Sequence, residues 1–285
     1  MRQIGILQAL ISGLCFGFLG VFGKIAYSAG LKPGEFLALR FLTASSILLL
    51  ALAVFRREWL RLPPMMIGKC LVLGACGYAL FSSCYFYALQ GLSASLTVLL
   101  LYTYPIYVTL ASVLLFRERL RTVHWVALPI MGLGMLALVW GELAIRSTSA
   151  LLFGFFSGVF YSVYILCSSR IIRGYSPYGC VVFIMIGAGL TLSALHLRAE
   201  TFPFPPTAGL AIGGAAILST IVAMALFLAA LQKITNTETA LLSTAEPLAG
   251  VILATLLLNE SFTALQWIGG FLLLSGMTAI ALRKT

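Results

Sequence analysis

Apolar stretches long enough to cross a bilayer follow one another along this whole chain, and that pattern removes most folds from consideration. A span needs roughly 20 apolar residues, because the hydrocarbon core is about 30 Å thick and an α-helix rises about 1.5 Å per residue. Such runs read as helices at 6–28, 34–55, 66–89, 93–116, 123–141, 149–170, 177–196, 207–232, 237–258 and 263–282. Turn formers punctuate the joints: Lys32-Pro33-Gly34, Arg61-Leu62-Pro63-Pro64, Gly174-Tyr175-Ser176-Pro177 and Pro203-Phe204-Pro205-Pro206. Only 9% of the 285 residues are charged, against about 25% in a soluble domain. The spacing therefore predicts an all-α polytopic membrane protein with ten transmembrane helices. The first run begins at Ile4 and lacks a cleavage site, so it is expected to stay as the first span.

The net charge is +10, but no basic patch is interleaved with exposed aromatics, which argues against a nucleic-acid partner. The basic residues instead sort by side. With the N-terminus inside, Arg2, Arg56, Arg57, Arg61, Lys69, Arg117, Arg119, Arg121, Arg170, Arg173, Lys233, Arg283 and Lys284 share one side, whereas Lys32, Arg146 and Arg198 fall on the other. Thirteen against three predicts cytoplasmic termini in a cell inner membrane. The partners expected are the lipid bilayer, a small-molecule substrate and protons, with the protein a monomer or weak dimer. The six cysteines form no C-x-x-C pair and have no ligand-spaced His or Asp nearby, so neither a metal nor another cofactor is expected.

An internal repeat appears when residues 88–139 are laid on 230–281 at a constant offset of 142. Ala88-Leu89-Gln90 meets Ala230-Leu231-Gln232, Thr97 meets Thr239, Pro105 meets Pro247, Glu118 meets Glu260 and Trp125 meets Trp267. Ser12-Gly13 resembles Ser157-Gly158 at an offset of 145, and Gly30 and Pro33 resemble Gly174 and Pro177 at 144. The halves divide as 1–146 and 147–285. Each repeat holds five helices, an odd number, so the second enters the membrane from the opposite side and the repeats are inverted. Arg117, Arg119 and Arg121 become Asn259, Ser261 and Thr263 in the second copy, as a change of side requires. Two such halves can exchange shapes at nearly equal energy, which is the physical basis of alternating access.

A charge at the bilayer centre costs about 2.5–3.5 kcal/mol even on insertion scales, so the few present need a reason. Glu246 lies near the middle of the ninth span, Lys24 in the outer part of the first and Arg40 in the outer third of the second. Glu246 reads as a cavity carboxylate that meets a substrate cation or exchanges a proton; the competing readings are a structural pair with Lys24 or Arg40 and a carboxyl group that stays neutral. Lys24 and Arg40 sit close enough to the interface to snorkel. Glu238, at the inner end of the ninth span, reads as a solvated helix-start acid. Pro105 and Pro247 occupy matching mid-span positions, and paired proline-interrupted spans are the best sequence pointer to the site of a repeat transporter. Tyr78, Tyr85, Tyr102, Tyr104, Tyr161 and Tyr164 lie at mid-span depth as candidate cavity hydroxyls. Gly13, Gly17, Gly20 and Gly23, with Gly154, Gly158 and Ser162, give the first and sixth spans small faces for close packing. His124 and His196 have no catalytic setting, the chain contains no Asp, and no nucleophile elbow or phosphate loop is present, so an enzyme is not expected.

The run Ala38-Leu39-Arg40-Phe41, together with Pro105 followed by Leu115-Phe116-Arg117-Glu118-Arg119-Leu120 and its second copy, Glu246-Pro247 followed by Leu257-Leu258-Asn259-Glu260-Ser261-Phe262, resembles the EamA-type drug/metabolite transporters. The resemblance implies a cavity lined by spans 1–4 and 6–9, peripheral spans 5 and 10, and an acidic site residue at Glu246. Arg117 and Asn259 stand where that family usually has glycine. The function expected is secondary transport of a small metabolite, amino-acid-like or drug-like solute, with proton-coupled export first and import or exchange second. A channel or a non-transporting assembly partner is the alternative from another class.

Overall fold

The computed structural model describes residues 1–140, 147–198, 204–258 and 263–282, and every regular element among them is helical. Nine helical stretches among these residues are long and apolar enough to cross a membrane: Arg2–Ser28 (span 1), Pro33–Phe55 (2), Pro64–Gly91 (3), Leu96–Phe116 (4), Thr148–Ile171 (6), Pro177–His196 (7), Pro206–Leu231 (8), Asn236–Leu257 (9) and Ala264–Ala281 (10). Thr122–Leu138, 17 residues long, supplies span 5 at the lower limit of spanning length. The chain is a multi-pass membrane protein. Arg146, Asn259, Glu260, Ser261, Phe262, Arg283 and Lys284, used above for sidedness and for the second copy of the turn, lie outside the described residues.

The punctuation read from sequence acts as expected. Pro33, Pro64, Pro177 and Pro206 each open a helix, where their missing N–H costs nothing. Gly30 and Gly174, 144 residues apart, take φ of 95° and 85° in the turns after spans 1 and 6, a conformation that favours glycine. Arg117 closes span 4 at φ 53°, the left-handed position where the resembled family carries glycine. Because a side chain there costs roughly 1–2 kcal/mol, Arg117→Gly is expected to raise the melting temperature of the purified protein. A lower melting temperature would mean that the arginine side chain holds more than its backbone loses.

The spans are interrupted in matched pairs, at the prolines as expected and also in spans 3 and 8, where nothing in the sequence marks it. Spans 3 and 8 each contain a π-turn, at Leu73–Tyr78 and Ile217–Val222, again 144 residues apart. Spans 4 and 9 are each split in two: Ala94–Leu101 gives way to Tyr104–Phe116, and Asn236–Leu242 to Ala245–Leu258. Pro105 and Pro247 thus do not kink continuous helices; each sits in the first turn of a new one. The carbonyls around the breaks find hydroxyls and amides. Thr103 Oγ1 donates to Leu100 O at 2.6 Å, Thr244 Oγ1 to Leu241 O at 2.7 Å, and Glu246 N to Ser243 O at 3.0 Å. In lipid no such group can be left to bulk water.

Packing repeats the same symmetry. Span 1 packs on the second part of span 9 and on span 8, as span 6 packs on the second part of span 4 and on span 3. Spans 2 and 7 pack together at the centre, and spans 5 and 10 pair at the periphery. Glycines make the closest of these contacts. A Cβ on Gly158 would stand 2.9 Å from Leu100 O and 2.8 Å from Thr103 Oγ1, and one on Gly17 would stand 2.6 Å from Ala249 Cβ and 3.0 Å from Glu246 O. Each helix break therefore rests on a glycine face of the opposite half. Gly17→Leu is expected to push span 1 off span 9 and to abolish recovery of folded protein, scored as a monodisperse peak in detergent. Full recovery would show that the two spans do not touch here.

Candidate functional site

A cavity of about 580 Å³ opens among the spans, within the 300–1,000 Å³ range of small-molecule sites. Span 1 contributes Phe16, Gly17, Leu19, Gly20, Gly23 and Tyr27, span 2 Leu37 and Arg40, span 3 Tyr78, Phe81, Ser82 and Tyr85, span 4 Val98, Leu101, Tyr102 and Tyr104, span 6 Tyr161 and span 9 Glu246, Pro247 and Gly250. Leu138, Val139 and Gln266, at the ends of spans 5 and 10, reach its rim, while spans 7 and 8 supply no lining residue among those described. That corrects the lining implied by the family resemblance.

The cavity is one-sided. Arg2 donates to the carbonyl of Ile280, so the start of span 1 and the end of span 10 lie together on one side, the termini side. The lining residues of spans 1, 2 and 4 all fall in the half of each helix remote from it, those of spans 3 and 9 run from the middle outward, and Tyr161 of span 6 stands near mid-helix. The opening is therefore away from the termini.

Its wall is aromatic. Tyr161 stacks edge-on to Tyr104 at 4.7 Å and lies 4.5 Å from Phe81, which meets Tyr78 at 4.6 Å. Tyr104 donates its hydroxyl to Ala240 O at 3.1 Å, so one half's broken span is tied to the other's. Tyr104 and Glu246, which the 142-residue offset pairs, both face this cavity. Glu246 is half-buried and is the only acidic lining residue among those described. The neighbouring groups that act on its carboxyl are the Tyr102 hydroxyl and the Arg40 guanidinium.

Arg40 is 1% exposed. Its Nη2 reaches the Tyr78 hydroxyl at 3.5 Å and its guanidinium lies 4.7 Å from the Phe41 ring centre, while Nε and Nη1 have no hydrogen-bond partner among the described residues. It does not snorkel. Among the described residues no ion pair joins it to Glu246. Lys24 is exposed on span 1 and takes no part in the lining, Pro105 is buried behind it, and Tyr164 packs in a second layer, edge-on to Tyr78 at 5.4 Å and parallel to Tyr161 at 6.1 Å. Tyr78, Tyr85, Tyr102, Tyr104 and Tyr161 do line the cavity. Sequence reasoning missed Phe81, Ser82, Tyr27 and Gln266. The first two carried a signal, since Tyr78, Phe81, Ser82, Tyr85 and Leu89 form one stripe at helical spacing.

Residues 3–140 match the EamA-like transporter family, and residues 148–282 match it again. The chain belongs to the EamA-like transporter family. An inner membrane transporter of Salmonella typhimurium, YicL, described as uncharacterized, is 32% identical over 137 residues, 48% of this chain and 46% of that protein. The match thus spans about half the length of that relative. An uncharacterized transporter of Archaeoglobus fulgidus is 28% identical over 195 residues, 68% of this chain and 69% of its own length. A solved structure described only as "Crystal structure of protein" superposes with a TM-score of 0.84 at 20% identity, covering 98% of this chain and 96% of its own, and so shares its fold. As a member of this family the protein is a transporter and not an enzyme.

Proposed function

We propose that this EamA-like transporter carries a small amino-acid-like or drug-like solute across the cell inner membrane by alternating access, with export coupled to protons. The two five-span repeats, 1–146 and 147–285, are the bodies that exchange shapes. The observation that carries the reading is a lone carboxylate among the described lining residues, Glu246, set in an aromatic cavity open to one side only. Such a group can hold a substrate ammonium, with rings on either side to take its apolar part, or it can carry a proton between the two openings. The excess of basic residues on the termini side supports a cytoplasmic assignment for that side, on which reading the cavity faces outward.

Counterflow in liposomes is the direct test. Vesicles preloaded with an unlabelled amine or amino acid should transiently accumulate the labelled solute, and an inward proton gradient should accelerate its release. A non-saturable flux would indicate a channel, and no flux with any of a broad solute panel would indicate a non-transporting partner. Topology is tested separately: a reporter fused after Thr285 is expected to report cytoplasm and one inserted near Arg146 the exterior. An exterior C-terminus would invert the direction assigned to the cavity.

A further inference from the structure

A buried ionic cluster lies on the termini side, away from the cavity's opening. Glu238, expected from sequence to be a solvated helix-start acid, is 1% exposed. Its Oε1 accepts from Arg2 Nη2 at 2.8 Å and from Arg2 Nε at 3.2 Å, and Arg2 Nη2 donates as well to Ile280 O at 2.7 Å. His124, 3% exposed, places Nε2 4.0 Å from the same carboxylate oxygen, while its Nδ1 accepts from the Arg121 amide at 3.1 Å. One carboxylate thus joins the termini-side ends of spans 1, 5, 9 and 10.

We propose that Glu238 is the latch that holds this side shut and thereby sets which way the cavity faces, an inference that rests on the alternating-access reading. The repeat supplies the argument. At the offset of 142 that relates the halves here, Glu238 corresponds to Leu96 and His124 to Gln266. Those are the residues at the opposite, open side, where Gln266 stands on the cavity rim. The carboxylate and the imidazole of the closed end have neutral counterparts at the open one, so the halves are equivalent in backbone but not in what seals them. The local structure suits a moving part. Glu238 lies on the short helix Asn236–Leu242, which the break at Ser243-Thr244 separates from the helix carrying Glu246. The same short helix carries Ala240, whose carbonyl accepts from the cavity residue Tyr104, so a swing of the latch is transmitted to the site. A buried carboxylate is held in place by its partners, and removing one side of such a pair is strongly unfavourable to the conformation that buries it. The conformer that separates these ends lets water reach both ions and loses much less.

Hydrogen–deuterium exchange of Glu238→Gln protein in lipid nanodiscs tests this without any substrate. Exchange at 2–9, 122–128 and 236–242 is expected to quicken by on the order of tenfold, and exchange at the opposite ends, 20–28 and 89–97, to slow as that side closes. Glu238→Asp should retain the wild-type pattern. A purely structural role would quicken exchange at both ends or near residue 238 alone, and either outcome overturns the latch. Should Glu238→Gln fail to fold, Arg2→Gln removes the better-exposed partner and must give the same opposed shifts; their absence overturns the latch equally. Opposed shifts in a protein that shows no counterflow would sink the transport reading and leave the latch standing.

Discussion

Glutamine at position 246 is expected to leave the protein folded and to reduce proton-driven solute movement to the level of empty liposomes. The substitution keeps shape and hydrogen bonding but cannot carry a charge or a proton. Glu246 is the only acidic residue among the described lining of the cavity, so no second lining group there can take over. The rival account makes it a structural counter-ion, and then the loss would fall on stability, because an uncompensated buried cation costs about 3–5 kcal/mol. Geometry separates the two. Among the described residues no ion pair joins Arg40 to Glu246, so Arg40 acts on the carboxylate only at longer range, and its direct contacts are with Tyr78 and the Phe41 ring. The melting temperature of Glu246→Gln should therefore stay within a few degrees of wild type while transport loses its response to a pH gradient. A large fall in melting temperature with an unchanged pH response would make Glu246 structural and end the coupling reading.

The spans and their repeat were legible because the bilayer leaves little choice: an apolar run of the right length must be a helix, and Gly30, Gly174, Pro33 and Pro177 mark the joints in both halves at one offset. Helix phase was much less legible. In a soluble helix a polar face reports which side is outward, but a span is apolar all round, so sequence could not tell Tyr161, on the cavity, from Tyr164, three residues on and one layer behind it. The π-turns added to this. An extra residue in a helical turn rotates the helix beyond it by about 100° relative to the part before it, and neither Leu73–Tyr78 nor Ile217–Val222 contains a proline to announce it. Glu238 was misread because its surroundings are non-local: Arg2 and Ile280 stand 236 and 42 residues away along the chain. The side to which the cavity opens is harder still. It turns on small differences between two near-equivalent halves, and a pattern of apolar runs does not weigh those.

A large loss of stability is expected from Gly74→Ala, a change of one methyl group. Gly74 lies in the π-turn of span 3, and a Cβ there would run into the carbonyl oxygen of Ile184 and come within 2.8 Å of the amide nitrogen of Ala188, both in span 7. From the facing side, a Cβ on Gly187 would run into the carbonyl oxygen of Leu71. The two spans therefore touch backbone to backbone, with Ile184 and Ala188 wholly buried. Overpacking a core with side chains costs about 1–3 kcal/mol, because rotamers can give way. Backbone has no rotamer to yield, so span 3 must move off span 7 along this contact, and the cost should reach or pass the top of that range. Separation would carry Tyr78, Phe81 and Tyr85 with it, so the cavity wall should loosen as well. Gly213→Ala is the matched control: it lies inside the first helix of span 8, and a Cβ there meets nothing within 4 Å, so better helix propensity should leave it neutral or stabilise it by up to about 1 kcal/mol. Thermal unfolding of both variants in detergent is the measurement. Equal melting temperatures would mean that spans 3 and 7 are not in backbone contact, and the central packing of this protein would have to be redrawn.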